Sequence, residues 1–233
     1  MKNILIIGSE GYLGTALVNR LKSDYNIFCI DKNPSSKHNI VSYTQIDFLD
    51  ANFLSKLNDF LNENNVKFSS VVYLSGINFQ NSFFSVQIED WDKTFDINVK
   101  GFLFTLKSVW SKLHSNASVV VVASQNGIVG HENRIEYGPS KAALLQLVKN
   151  ISVDIAKHHS NIRLNAVSPS YIINESNVKY LESPIGQKLK NNILYHRFIT
   201  IDDVINSIQF LISDDSLSIR GQNLIIDNGY TIT

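Results

Sequence analysis

The sequence predicts a doubly wound α/β domain, a parallel sheet covered by helices on both faces. Two observations carry this. Short apolar runs, many of them β-branched, alternate with longer amphipathic stretches. The first run also passes directly into a glycine-rich turn and then a helical pattern. The runs ILII (4–7), IFCI (27–30), VVYL (71–74), VVVV (119–122), IRLNAV (162–167) and LIID (224–227) have the length and composition of strands buried on both faces. Helical patterns lie between them near 12–22, 51–63, 89–113, 137–158 and 200–213. In the fourth, Leu144, Val148, Ile151 and Ile155 recur on one face. Strand–helix alternation of this kind builds parallel sheets. There is no repeat, low-complexity tract or linker, so residues 1–233 read as one domain. Only 170–198 breaks the rhythm. It is long, polar and interrupted at Pro184 and Gly186, as expected of a lid segment over a binding site.

Composition narrows the function. Lys+Arg and Asp+Glu are both 21, so the net charge is zero and the electrostatic footprint of a nucleic-acid binder is missing. No apolar run approaches the ~20 residues that span a bilayer. The N-terminal MKNILIIGSE is too short in its apolar part for a signal-peptide core. A single cysteine, Cys29, excludes an internal disulfide and disfavours a cysteine-based metal site, and the six histidines are scattered. These features predict a cytoplasmic protein with no bound metal.

The turn after the first run is IIGSEGYLG, which places Gly8, Gly11 and Gly14, with Tyr12 and Leu13 between them, at the start of a helix. Glycines there allow a tight turn and close backbone approach, and the free N–H groups of a helix start attract a diphosphate. The second run ends at Asp31, where an acidic side chain commonly holds the adenine ribose hydroxyls of a dinucleotide. A 2′-phosphate would be repelled by that carboxylate, and Glu10 adds negative charge beside the second glycine. NAD is therefore expected over NADP, with Lys32 the one nearby offset.

The fourth helical pattern opens with EYGPSKAAL. Tyr137 and Lys141 stand at i and i+4 and so share a helix face, although helix formation requires neither. Of nine tyrosines only Tyr137 has a lysine at that spacing. Upstream, Ser124 ends the most apolar strand, at the sheet edge where ligands of such folds bind. Asn98 lies inside a helical pattern, where asparagine is a poor former, and alone would be read as an exposed polar residue.

Together, Asn98, Ser124, Tyr137 and Lys141 behind a glycine-rich first turn resemble the short-chain dehydrogenase/reductase family, in its short single-domain branch with a Rossmann-type sheet. The likeness covers nearly the whole chain. It places Asp47 after a third strand as an adenine contact, and RLNAVSPS with Pro169 beside a nicotinamide. Gly76 falls on the cofactor wall, and GQNLIIDNGY forms the last strand and its turn. There are departures. The glycine spacing, G-x-x-G-x-x-G, is commoner in the longer, nucleotide-sugar-processing branch than in the short one. Tyr73-Leu74-Ser75-Gly76 stands where the short branch has Asn-Asn-Ala-Gly, which puts a sheet-bracing hydrogen bond in doubt, and Ser170 replaces a glycine after Pro169.

The resemblance implies hydride transfer between a nicotinamide and an alcohol or ketone carbon. Tyr137 would be the general acid/base and Ser124 the partner of the reacting oxygen. Lys141 would lower the tyrosine pKa and, with Tyr137, contact the cofactor, while Asn98 would complete a water-mediated proton path. Bringing a phenol from a pKa near 10 to about 7 takes roughly 4 kcal/mol, and a cation at about 4 Å in an effective dielectric near 20 supplies a similar amount. Gln125, Asn126, His131, Arg134 and Tyr171 would meet the substrate, and their polarity suits a sugar or hydroxylated metabolite. A homodimer or homotetramer through helices 89–113 and 137–158 follows from the resemblance. Alternatives are an NADPH-dependent 3-oxoacyl thioester reductase, a nucleotide-sugar epimerase and a non-catalytic dinucleotide sensor.

Overall fold

Seven strands form one parallel sheet: β1 (Lys2–Ile7), β2 (Tyr25–Asp31), β3 (Ser42–Gln45), β4 (Phe68–Tyr73), β5 (Leu113–Val122), β6 (Arg163–Pro169) and β7 (Asn223–Ile226), in the order β3-β2-β1-β4-β5-β6-β7. The computed structural model describes residues 1–158 and 160–232. His159, one of the six histidines, and Thr233, the last residue of the predicted domain, lie outside the described residues. The chain winds outward from β1 to β3, then returns to lay β4 on the other side of β1. That reversal opens a crevice at the carboxyl ends of β1 and β4, where open α/β sheets bind ligands.

The apolar strands feed two cores at once, because alternate side chains leave opposite faces. Leu5, Ile7, Val119 and Val121 enter one core, with Phe60 of α2 (Phe53–Asn64), Phe102 and Leu106 of α4 (Gly101–Val109) and Leu144 and Val148 of α5 (Tyr137–Lys157). Ile4, Ile6, Val120 and Val122 enter the other, with Leu13, Leu17 and Leu21 of α1 (Tyr12–Leu21) and Val204, Ile208 and Leu211 of α8 (Ile201–Ile212).

Three expectations are corrected. The runs omit β3, whose sequence SYTQ is short and only part-buried because it forms a sheet edge with one neighbour. The stretch 89–113 is not one helix. It runs as α3 (Ile88–Phe95), a π turn (Asp96–Lys100), α4 and a short 3₁₀ turn, and β5 begins at Leu113. The segment 170–198 is ordered, not irregular. It contains α6 (Val178–Leu181) and α7 (Pro184–Asn191) over a small core of Leu181, Ile193 and Phe198. Pro184 does not interrupt a helix but starts one, at the position where a missing N–H costs nothing, behind a Ser183 cap on Gly186 N–H.

Candidate active site

A cleft of about 470 Å³ opens at the switch point. Its walls include Gly8, Gly11, Tyr12, Leu13 and Gly14 from the first turn, Gly76 beyond β4, Ser124 beyond β5, Pro169 at the end of β6, and Tyr137 and Lys141 from α5. Gly8 takes φ +86°, and a Cβ there would stand 2.8 Å from Ser75 N. A Cβ on Gly14 would collide with the Gly8 carbonyl. The turn therefore tolerates no side chain at either position, and backbone is what it offers a ligand.

A second lobe of about 240 Å³ shares Gly8, Gly11 and Gly76 with the first, and is walled by Glu10, Asp31, Lys32, Ile46 and Phe48. Asp31 is only 8% exposed, and its carboxylate accepts from Glu10 N at 2.9 Å and Asn33 N at 3.1 Å. Asp47 stands between the two wall residues Ile46 and Phe48, with its carboxylate accepting from Leu49 N. Glu10 takes the hydroxyl of Ser36 and lies 3.6 Å from the His38 ring. The lobe thus carries the carboxylates of Asp31 and Glu10 beside Lys32, with Lys37 donating to the Glu10 carbonyl, and apolar Ile46 and Phe48 in the same wall.

Around the first lobe the candidate residues form a connected set. Asn98 occupies the π turn and is fully buried, not exposed. Its carbonyl oxygen accepts from Ile77 N at 2.8 Å, and its amide donates to Ile77 O and to Ser140 Oγ at 3.0 Å. The wide π turn explains how asparagine sits mid-helix, since such turns recur where a side chain must leave the α ladder. A Cβ on Gly76 would lie 3.2 Å from both Asn98 Oδ1 and Lys141 Nζ. Lys141 donates to Val122 O at 2.9 Å, and its ammonium lies 5.6 Å from the centre of the Tyr137 ring. Ser124 does not end β5 as expected but comes two residues beyond it, in extended backbone, and its hydroxyl caps Asn126 N.

The electrostatics differ from the expectation. Burial raises the Tyr137 pKa, and hydrogen bonding from Ser124 and the charge of Arg134 oppose it. Burial also lowers Lys141, to about 8. Lys141 is buried and its ammonium turns to the Val122 carbonyl, while Tyr137 lies part-exposed on the cleft wall, and burial is the largest influence on both groups.

Of the expected substrate residues, Gln125 is buried, and His131 Nε2 bonds the Tyr171 hydroxyl at 2.6 Å. Tyr171 in turn packs on Phe198 and Tyr230, which joins it to the 170–198 unit. Arg134 and Asn126 line a neighbouring cavity of about 580 Å³. Sequence reasoning missed Ser140, the link between Asn98 and α5, and Ile77, its backbone partner. A serine in the first turn of a helix gives no signal until its neighbour across the fold is known. Among the described residues no cluster of side chains suited to a metal ion exists, and no helix is long and apolar enough to cross a membrane.

A family profile described as enoyl-(acyl carrier protein) reductase matches residues 32–231. The chain belongs to the short-chain dehydrogenase/reductase family. It is 33% identical over 146 residues to an NAD-dependent glycerol dehydrogenase of Listeria innocua, a match covering 62% of this chain and 57% of that one. It is 30% identical over 149 residues to a D-threitol dehydrogenase of Mycolicibacterium smegmatis, covering 63% and 56%. The matched stretch thus spans little more than half the length of these relatives. Among solved structures, a short-chain dehydrogenase family protein of Francisella tularensis superposes over 100% of both chains with a TM-score of 0.90 at 24% identity, a likeness of fold. Against the short-chain dehydrogenase/reductase pattern, the departure at Tyr73 now has an account. Its hydroxyl donates to Ile97 O at 2.8 Å, so a phenol braces the end of β4 against the π turn where the short branch carries asparagine.

Proposed function

We propose that the protein is an NAD-dependent oxidoreductase that interconverts a secondary alcohol and a ketone on a polar, polyhydroxy substrate. The observation that carries this is the convergence of Ser124, Tyr137 and Lys141 with the Gly8–Gly14 turn around one cleft. The side-chain-free cradle at Gly8 and Gly14 fits a dinucleotide diphosphate, and the acidic second lobe fits an unphosphorylated adenine ribose. A bound nicotinamide would accept or donate the hydride.

The chain's own residues handle the oxygen and its proton. Ser124 holds the reacting oxygen at the carboxyl edge of β5. Tyr137 takes the hydroxyl proton in oxidation and returns it in reduction. Lys141 holds the ribose beside the ring and contributes positive charge below its pKa of about 8. Asn98 fixes the backbone at Ile77 and so the floor of the cleft. Gly11, Tyr12, Leu13, Gly76, Asp47 and Pro169 complete the cofactor wall. Gln125, His131 and Tyr171 face the substrate, under 170–198 as a lid. Asp31 and Glu10 support NAD over NADP, since a 2′-phosphate would meet two carboxylates in a largely buried lobe. Glycerol and threitol are the substrates named for two relatives, which supports a hydroxyl-rich class. A cytoplasmic homo-oligomer is part of the same proposal.

Calorimetric titration with NADH and NADPH, followed by turnover assays of wild type and Tyr137→Phe, tests the reading. NADH should bind at least about tenfold more tightly than NADPH. Tyr137→Phe should retain NADH binding and lose turnover by about a hundredfold or more. Tighter NADPH binding would overturn the role of Asp31, and substantial activity in the phenylalanine variant would remove Tyr137 as the proton carrier.

A further inference from the structure

Glu10 stands in the wall of the second lobe, between the first two glycines of the turn, and its backbone N–H donates to Asp31 Oδ2 at 2.9 Å. Its side chain is only 3% exposed. What buries it is the loop between β2 and β3, which folds back onto the turn. Ser36 donates its hydroxyl to Glu10 Oε1 at 2.9 Å, and Lys37 donates its amide to Oε2 at 3.3 Å. The Lys37 ammonium turns to the Glu10 carbonyl at 3.2 Å. The His38 ring nitrogen Nε2 lies 3.6 Å from Oε1, buried and with no hydrogen-bond partner. Ser9, on the turn itself, also donates to Oε1, at 3.2 Å.

A hydroxyl, a backbone N–H, an ammonium and an imidazole gathered on one short loop are the donors of an anion site. Here they close on a carboxylate that the chain itself supplies. Among the described residues, each hydrogen bond that leaves residues 36–38 ends on Glu10. The N–H groups of Glu10 and Asn33 are likewise taken, by the two oxygens of Asp31. A phosphate arriving at the ribose would find these donors occupied. Repulsion by charge and denial of partners are separate effects, and the second depends on Glu10 keeping hold of the loop.

We propose that Glu10 is an internal stand-in for a phosphate. Its carboxylate fills a latent anion site formed by Ser36, Lys37 and His38, and it excludes NADP by keeping those donors from the 2′-phosphate. This rests on the dinucleotide reading of the lobe and gives Glu10 a specificity role beyond simple repulsion. With the carboxylate removed, the lobe opens onto the loop through the place that Glu10 held, and a 2′-phosphate can take over its contacts.

Calorimetric titration of NADH and NADPH into the wild type, Glu10→Ala, Glu10→Gln and the double variant Glu10→Ala/Ser36→Ala tests this. Glu10→Ala should bind NADPH about tenfold or more tightly than the wild type does. Adding Ser36→Ala should remove most of that gain, since it deletes a donor without changing charge. Glu10→Gln is neutral but keeps an oxygen that accepts from Ser36, so its gain should be about threefold or less. Equal gains in the alanine and glutamine variants, or a gain that survives Ser36→Ala, would leave repulsion as the whole effect and overturn the inference. No gain in Glu10→Ala would do the same. If Glu10→Ala binds neither cofactor, Glu10→Ser carries the test, and failure of both would make Glu10 a part of the turn itself, against the inference. A wild type that binds neither cofactor would overturn the dinucleotide reading together with it, whereas each of the other contrary results overturns the inference alone.

Discussion

Lys141 is held in a position that opposes its own charge. It is 3% exposed, and burial brings its pKa from 10.5 to about 8. Below about pH 8 both folded and unfolded states carry the proton, and the buried charge costs the fold about 3 kcal/mol. Between 8 and 10.5 the folded state releases its proton first, the unfolded state binds more, and stability rises with pH. Lys141→Met should therefore abolish turnover yet stabilise the protein at pH 7. The gain should be about 2 kcal/mol once the lost hydrogen bond to Val122 O is counted, and it should fade by pH 10.5. Urea unfolding of both proteins at pH 7 and pH 10.5 checks this, and equal stability at pH 7 would show that the site does not strain the ammonium. At this scale the sequence was informative about identity and silent about balance. Tyr137 and Lys141 announce themselves by spacing. That burial is the largest influence on both depends on what surrounds them, which no spacing records.

The elements behind the cleft are joined more closely than their separation in the chain suggests. Tyr73 ends β4 and reaches the π turn, and Gly101 opens α4 directly beneath the phenol, where a Cβ would stand 2.6 Å from the hydroxyl. The glycine makes room for the tyrosine. Tyr73→Phe should cost about 1–2 kcal/mol by leaving the Ile97 carbonyl without its phenolic donor. Gly101→Ala should cost more in the Tyr73 background than in the phenylalanine one. A double-mutant cycle read by chemical denaturation measures the difference, and strict additivity would show that the two do not share the space. Strands of β-branched residues were legible because they are buried on both faces. β3 was not, since an edge position needs no apolar run. Nor was the π turn, since its residues DINVK carry no composition that separates it from an α-helix. The order of 170–198 was hidden for a third reason: its small core draws on Tyr171 and Tyr230, nearly sixty positions apart.

Across the molecule, both faces of the sheet are closed by the chain's own helices, and α4 and α5 commit Phe102, Leu106, Leu144 and Val148 to that core. What remains outside is apolar in places: Phe84 is 93% exposed, Ile88 76% and Val153 55%, on or beside the elements the family resemblance assigns to subunit contact. Exposed groups of that size favour burial against another surface. Light scattering of the purified protein should give a mass that is an even multiple of the 26.3 kDa chain, and a monomer at micromolar concentration would remove the homo-oligomer from the proposal. The doubly wound order and the site at its switch point were legible at this scale because alternation and glycine placement are global signals.

The π turn has a consequence for how this protein can change. A π turn holds one residue more than the α turn it replaces, so α3 and α4 are out of phase by about 100° across Asp96–Lys100. Asn98 is aimed at Ile77 and Ser140 in one phase, and Phe102 and Leu106 at the sheet in the other. Loss of a single codon here would restore an unbroken helix and leave every remaining side chain chemically intact. It would also turn one of those two sets away from its partners. Substitution can explore this stretch, but deletion cannot, and the chain's length across Asp96–Lys100 is fixed by the two sets of partners it serves.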